Sequence, residues 1–251
     1  MPEPARARIC LMDELRGFAV VCMIFYHAFY TLANLFSLGW ALALLRFFRP
    51  AEPWFAALFI LISGVSSQLS RSNLARGLKL LAVALAVTLA TWLVVPQEVI
   101  VFGILHFLSI CMILFGLAGR FLNRLPHPWL WVALCAAGYL LTLRVDAGTL
   151  GFGPLSLALP RAWYEAGWLF PLGLPGPGFR SSDYFPLFPW VFVFLAGTFL
   201  GRFAAAGRFP AFCYPSRVPA LSWVGRRALV LYVVHQPVIY GAALLVSSLA
   251  G

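Results

Sequence analysis

Charged residues are scarce in this chain of 251 residues. Asp, Glu, Lys and Arg together make up only 10% of it, whereas 62% of the residues are hydrophobic. Soluble globular domains are about 45–50% apolar and about 25% charged. A soluble domain of this length could not bury so much apolar surface, but a lipid bilayer can solvate it. The composition therefore predicts an all-α, polytopic transmembrane helix bundle in one domain over residues 1–251.

Acidic residues are especially few, and the formal net charge is +10. In a soluble protein this excess would suggest a nucleic-acid partner. Here the basic residues fall between apolar runs, as they do in the cytoplasmic loops of membrane proteins. We therefore expect membrane lipids and no nucleic acid as partners. None of the five cysteines forms a CxxC pair, so neither a disulfide framework nor a metal site is expected.

Seven apolar runs approach the roughly 20 residues that a membrane span needs. The second and fifth are the shortest, and the stretch 40–48 is expected to lie at the interface rather than to span. The predicted spans are 17–38, 54–70, 77–95, 100–118, 129–144, 186–202 and 228–249.

The distribution of basic residues predicts a cytoplasmic N-terminus. With that orientation, thirteen of the 18 basic residues lie in inner segments and five in outer ones, which is a clear positive-inside bias. The inner residues are Arg6, Arg8, Arg16, Arg71, Arg76, Lys79, Arg120, Arg124, Arg202, Arg208, Arg217, Arg226 and Arg227.

The segment 145–185 is a predicted extracytoplasmic loop rich in Gly and Pro, which interrupt regular structure. A loop this long often forms a lid or a binding site. A loop without a role in binding is the equally weighted alternative.

The first span carries a cation and an imidazole on one face. Asp13 and Arg16 are three residues apart and can pair on a helix, and Gly17 follows them. His27 comes eleven residues after Arg16, which is about three turns and a rise of about 16 Å. Since ionisable groups inside a membrane are costly, this spacing favours a functional His27. The alternative is a core histidine bonded to a neighbouring helix.

Two further sites combine small residues with polar ones. Gly103 precedes His106 by three residues, so a ligand or a helix could approach the histidine closely. A packing glycine beside a hydrogen-bonded histidine is the alternative. The pair Ser63-Gly64 suits tight helix packing.

The sixth span opens with Asp183, followed by Pro186 and Pro189. Proline is tolerated in a first helical turn, and an aspartate just outside it can cap the helix. The functional alternative is a carboxylate at the outer mouth of the bundle that orients a histidine or a substrate.

The last span is entered by Arg226 and Arg227, which suit phosphate groups, although either alone could be a topology signal. Tyr232 and His235 follow on one face. Pro237 is expected to break the helix and to free a carbonyl near residues 232–233. A histidine beside such a break implies a polar cavity.

Together these residues predict a polar path through an apolar bundle, with the arginines inside, His27 and His235 at mid-depth, and His106 and Asp183 near the outer face. Such a path suits a reaction between a cytosolic anionic donor and an outer acceptor. A transporter or flippase for a glycan or lipid precursor would use the same path, although the lack of internal repeats weakens that interpretation. A non-catalytic membrane scaffold is the third interpretation.

The same blocks, from Asp13-x-x-Arg16-Gly17 to Tyr232-x-x-His235-Gln-Pro237, resemble bacterial relatives of heparan-alpha-glucosaminide N-acetyltransferase. The resemblance covers nearly the whole chain. It implies a membrane acyltransferase of the bacterial inner (plasma) membrane, with acetyl-CoA as cytosolic donor and a sugar or glycan amine or hydroxyl as acceptor. A metal is not implied, and a homodimer is left open beside a monomer.

The residue pattern and the resemblance together assign roles to residues. The resemblance implies His27 as catalytic base, and His106, Asp183 and His235 are expected to shape the acceptor site or to orient that base. Heparan-alpha-glucosaminide N-acetyltransferase itself, a lysosomal enzyme, has its catalytic histidine somewhat beyond the position of His27, whereas residues 28–53 contain no histidine. Direct transfer is therefore preferred to an acetyl-histidine. Five residues are assigned to donor binding: Arg16, Arg226, Arg227, Tyr232 and His235. Seven are assigned to structure: Asp13, Gly17, Gly64, Gly103, Pro186, Pro189 and Pro237.

Overall fold

The computed structural model describes residues 8–250, without the side chain of residue 250. Arg6, counted above among the inner cations, lies outside these residues. Within the described range the chain is mostly helical, as predicted, with one small hairpin of β1 (Thr149–Leu150) and β2 (Leu157–Ala158). The α-helices are α1 (Cys10–Asn34), α2 (Gly39–Phe48), α3 (Glu52–Gln68), α4 (Asn73–Val94), α5 (Ile104–Leu122), α6 (Pro128–Thr142), α7 (Arg161–Glu165), α8 (Leu187–Ala205), α9 (Pro219–Arg226) and α10 (Ala228–Ala250).

All seven predicted spans coincide with helices, but five of these are long and apolar enough to cross a membrane: α1, α4, α5, α8 and α10. The other two, α3 and α6, have 17 and 15 residues, which is short of the roughly 20 that a perpendicular span needs. The seven-span count and the orientation of the N-terminus therefore stay predictions.

The outer surfaces of the long helices are apolar. On α4, for example, Leu85, Leu89 and Leu93 are each more than half exposed. A contiguous apolar surface of this kind is rare on soluble monomers and is suited to lipid. Together with the helix lengths, it identifies an integral membrane protein.

The chain forms two compact units, and the first comprises residues 8–62 and 209–250. Here α1 packs against α2, α9 and α10. Its crossing with α9 is a direct backbone contact made possible by two glycines. A Cβ on Gly17 would lie 2.0 Å from the Leu221 carbonyl oxygen, and one on Gly225 would lie 1.9 Å from that of Asp13. Gly17, which was expected to be structural, therefore lies where two backbones meet.

We expect Gly225→Ala to lower the free energy of unfolding by about 1–3 kcal/mol, because the added methyl group would overlap the α1 backbone. Gly241→Ala is the matched control, since a Cβ there meets nothing within 4 Å and alanine is the better helix former. Thermal unfolding of both variants in detergent checks this, and equal melting temperatures would contradict the crossing.

The second unit comprises residues 63–208. In it α4 packs against α5, α6 against α8, and α5 against α8. A Cβ on Gly64 would lie 2.2 Å from the Phe194 carbonyl oxygen, so the backbone of α8 closely approaches α3 at this glycine. The centre of this unit is α5, whose buried residues include Phe107, Leu108 and Cys111.

Three details of the predicted helices are wrong. The run at 100–118 is not helical at its start, because α5 begins at Ile104 and Gly103 is its N-cap. Pro186 lies outside α8 as its N-cap, and Phe188 is extended, so the regular helix begins at Pro189. Pro237 does not break α10, which continues through it from Ala228 to Ala250.

The Gly/Pro-rich segment 145–185 is ordered by aromatic contacts rather than by long elements. The ring of Phe179 packs on Phe170 and Tyr184, at centroid distances of 4.9 and 5.0 Å. The Tyr184 hydroxyl donates to the Phe170 carbonyl at 2.6 Å. Its end then runs beside the residues that precede α5, where Phe185 N donates to the Phe102 carbonyl at 2.9 Å.

Candidate active site

His27 belongs to a hydrogen-bonded chain that joins α1 to α10. The Gln236 Nε2 atom lies 3.2 Å from His27 Nδ1. On the other side of the amide, the buried Thr31 hydroxyl donates to Gln236 Oε1 at 3.1 Å. Thr31 lies four residues after His27, so both residues are on one face of α1. This face therefore contacts both the oxygen and the nitrogen of the Gln236 amide.

His235 lies against His27, with ring centroids 5.2 Å apart and ring planes at 69°. Its Nδ1 lies 2.6 Å from the carbonyl oxygen of Tyr232. Pro237 was expected to free a carbonyl near residues 232–233. The helix is unbroken there, and the Tyr232 carbonyl is bonded to the His235 ring. The two histidines therefore form an imidazole pair, which we call the His27/His235 pair.

A group of cations lies at the start of α1. Asp13 bonds both Arg8, at 2.6 Å from Nε, and Arg16, at 3.1 Å from Nη1. The predicted pairing of Asp13 with Arg16 is thus present, and the hydrogen bond to Asp13 raises the pKa of the Arg8 guanidinium. Arg16 and Gly17 are adjacent, so Arg16 stands beside the α1–α9 crossing.

Arg226 and Arg227 flank the same crossing from α9, because they directly follow Gly225. Both are exposed. The Arg227 guanidinium stacks over the Trp223 ring at 4.3 Å from its centroid, a cation–π contact that holds the cation at the surface. This end of the first unit therefore presents several guanidinium groups, as an anion-binding surface requires.

Glu14 is a buried carboxylate that the sequence analysis gave no role. Its Oε1 accepts hydrogen bonds from Ser216 Oγ at 2.9 Å, Arg217 N at 2.7 Å and Val218 N at 2.9 Å. These bonds hold the segment before α9 against α1. The role of the adjacent Asp13 could be predicted from its spacing to Arg16. That of Glu14 could not, because its partners lie about 200 residues away in the sequence.

In the second unit, Asp183 caps a different helix from the one expected. Its Oδ2 accepts a hydrogen bond from Ile104 N, at 3.0 Å, and so caps α5; the predicted cap on the following helix α8 is wrong. A Cβ on Gly103 would lie 2.3 Å from this oxygen. Gly103 therefore admits the Asp183 carboxylate rather than a neighbouring helix.

We expect Asp183→Ala to cost about 1–2 kcal/mol of unfolding free energy, since a buried N-cap acceptor is lost. Asp146→Ala serves as the control, because Asp146 is exposed in the same loop segment. Chemical unfolding of the two variants in detergent gives the difference. A denaturant unfolding curve for Asp183→Ala that overlays that of the control would contradict the capping role.

His106 lies in the first turn of α5 and is only 5% exposed. Its Nε2 lies 3.2 Å from Thr88 Oγ1, and this hydroxyl donates to the Ile100 carbonyl at 2.6 Å. Because the hydroxyl proton is used on Ile100, Nε2 must donate to Thr88, which leaves a lone pair on Nδ1. Among the described residues, Nδ1 has no hydrogen-bond partner.

The predicted site residues thus fall into two separate groups. The first unit holds His27, His235, Tyr232 and the arginines, and the second unit holds His106, Asp183 and Gly103. Thr31, Thr88 and Glu14 were not predicted from the sequence. Gln236 belongs to the sequence block that carries the resemblance, but no role was predicted for it. Within residues 8–250, no group of three or more His, Cys, Asp or Glu residues could hold a metal ion.

Comparison with known proteins gives one match. The family model described as Heparan-alpha-glucosaminide N-acetyltransferase, catalytic, matches residues 8–237. Neither the comparison with curated proteins nor that with solved structures found a match. The matched range holds both groups of site residues and ends at Pro237. Since it covers most of the chain, this protein belongs to the heparan-alpha-glucosaminide N-acetyltransferase catalytic-domain family, a family of membrane acyltransferases.

Proposed function

We propose that the protein moves an acetyl group from cytosolic acetyl-CoA to an amine or hydroxyl of a sugar or glycan on the extracytoplasmic side. The observation that carries this proposal is the His27/His235 pair, two imidazoles 5.2 Å apart on the face that Gln236 and Thr31 fix. Imidazoles in this setting suit proton transfer during acyl transfer. The family match supports the acyl chemistry and does not favour the transporter interpretation.

The donor would bind by its phosphates to the guanidinium groups of Arg16, Arg226 and Arg227, which flank the α1–α9 crossing. Arginine forks match phosphate oxygens well. From there the pantetheine arm would follow α1 over the rise of about 16 Å that separates Arg16 from His27. Tyr232 and His235 then line the end of the donor path, and acetyl transfer is direct, without an acetyl-histidine.

Within the second unit, His106 is proposed to bind a group that carries a hydroxyl or an amine. Its Nδ1 carries a lone pair inside a buried side chain, and a sugar hydroxyl or amine N–H is the donor that such an atom accepts. Asp183 holds the start of α5, and thereby His106, in place. The setting we propose is the inner membrane of a bacterium, with the N-terminus in the cytoplasm.

The test is to purify the full chain in detergent and add acetyl-CoA labelled in the acetyl group, with a panel of amino sugars and envelope glycans. We expect thiol release that depends on one acceptor class and a labelled acetyl group on that acceptor. If the protein instead moved a glycan precursor across vesicles and released no thiol with any acceptor, the proposal would be wrong.

A further inference from the structure

The hydrogen bonds of the two imidazoles determine where each neutral ring carries its proton. A backbone carbonyl only accepts, so the 2.6 Å contact to the Tyr232 oxygen requires the proton of His235 on Nδ1. The lone pair of His235 is then on Nε2. This ring can take up a proton at Nε2 without losing its bond to Tyr232.

His27 has the opposite arrangement. The Thr31 hydroxyl donates to Gln236 Oε1, which turns the amide nitrogen of Gln236 toward His27. An amide NH₂ only donates, so His27 Nδ1 accepts, and the neutral ring carries its proton on Nε2. His27 therefore presents a hydrogen-bond donor where His235 presents a base.

We infer that His235 is the general base of acetyl transfer and that His27 is the donor that stabilises the oxyanion, with Gln236 and Thr31 as positioning residues that fix this division. The inference rests on the proposed function. It places the base at His235, which was expected to bind the donor, and not at His27, where the resemblance implied it. The ring centroids lie 5.2 Å apart, so the two imidazoles are direct neighbours, as a base and an oxyanion donor acting on one thioester must be.

The reaction balances with these two groups alone. The acceptor oxygen or nitrogen bonds to the acetyl carbonyl carbon as its proton passes to His235 Nε2. The carbonyl oxygen gains negative charge and accepts a hydrogen bond from His27 Nε2–H. The carbon–sulfur bond then breaks, and the leaving thiolate of CoA takes the proton from His235, which returns to its neutral form.

Replacing a histidine by glutamine tests whether it acts as a hydrogen-bond donor or as a base. An amide donates a hydrogen bond but takes up no proton near neutral pH. We expect His27→Gln to keep kcat within about tenfold of wild type, whereas His27→Leu loses about 10²–10³-fold. His235→Gln and His235→Leu should both lose about 10²–10⁴-fold. Equal inactivity of His27→Gln and His27→Leu, or near-normal activity of His235→Gln, would overturn the assignment.

A second measurement needs no activity. Nitrogen-15 spectra of the histidine-labelled full chain, assigned with the two glutamine variants, report which ring nitrogen is protonated. We expect Nε2–H at His27 and Nδ1–H at His235. Thr31→Val should move part of the His27 population to Nδ1–H, because the Gln236 amide can then turn over, while the His235 signals stay unchanged.

The two measurements distinguish two failures. If wild type transfers no acetyl group, the proposed function fails, and the spectra still decide which ring holds the basic Nε2. If acetyl transfer occurs but His27 shows a lone pair on Nε2, the proposed function stands and the division of roles is wrong. Unaltered His27 signals in Thr31→Val would likewise remove Thr31 from the arrangement.

Discussion

We expect His27→Ala to reduce acetyl transfer at least about 100-fold while leaving the helical fold intact. The imidazole is the only group of α1 that joins both Gln236 and the His235 ring among the contacts described for residues 8–250. Its loss removes either a proton acceptor or an oxyanion donor from the reacting thioester, so kcat falls under either assignment. The helix itself does not depend on it, since alanine is a good helix former.

His127→Asn is the control for the loss of an imidazole. His127 is exposed and has a φ of 54° before α6, a conformation that asparagine tolerates. We expect its activity to equal that of wild type. Steady-state kinetics of both variants, with circular dichroism to verify folding, make the comparison. Full activity of a folded His27→Ala would contradict the mechanism.

The second large effect is expected at His106. Replacing it by Leu should lower kcat/KM for the acceptor by about 10–100-fold, because a buried hydrogen-bond acceptor for the substrate is lost. The Michaelis constant for acetyl-CoA should remain unchanged, since the donor is proposed to bind the arginines and the His27/His235 pair of the first unit.

Two amide substitutions of His106 test which of its ring nitrogens binds the substrate. In His106→Asn the amide oxygen replaces Nδ1, whereas in His106→Gln the longer side chain reaches the position of Nε2 beside Thr88. We therefore expect His106→Asn to retain more acceptor affinity than His106→Gln. If His106→Leu instead weakened acetyl-CoA and left the acceptor unaffected, His106 would belong to the donor site.

The sequence predicted the helices well because a membrane span leaves a strong local signal. Every predicted run coincides with a helix, since about 20 apolar residues in series have few other folds in lipid. The ends were less predictable. The predicted run at 100–118 starts before α5, which begins at Ile104. The residues before Ile104 are hydrophobic but not helical, and they lie beside the segment before α8. Hydropathy alone could not distinguish them from the helix.

The candidate site was predictable where its residues are ionisable and lie inside apolar runs. His27, His106 and His235 are prominent because such groups are costly in a membrane. Thr31 and Thr88 were missed since threonine is common in apolar helices, and their partners lie elsewhere in the chain. The Asp183 cap was placed on the wrong helix because sequence proximity favours α8, whereas the contact to Ile104 spans 79 positions.

The two glycines of the α1–α9 crossing show a further limit. Gly17 was predicted to be structural, but its contact with the Leu221 backbone requires knowledge of which helix packs there. Gly225 was seen only as the residue before two arginines. The close approach explains why both positions lack a side chain. Arg16 and Arg226 are the chain neighbours of these glycines and therefore lie next to the same crossing.

Acetyl transfer from acetyl-CoA across a membrane by the His27/His235 pair can be measured directly. Its most direct test uses sealed vesicles of uniform orientation, with labelled acetyl-CoA on the side of Arg226 and the acceptor inside. We predict labelled acceptor in the lumen with wild type and none with the double variant His27→Leu/His235→Leu. Equal labelling by the double variant, or no luminal label with wild type despite intact vesicles, would contradict the account.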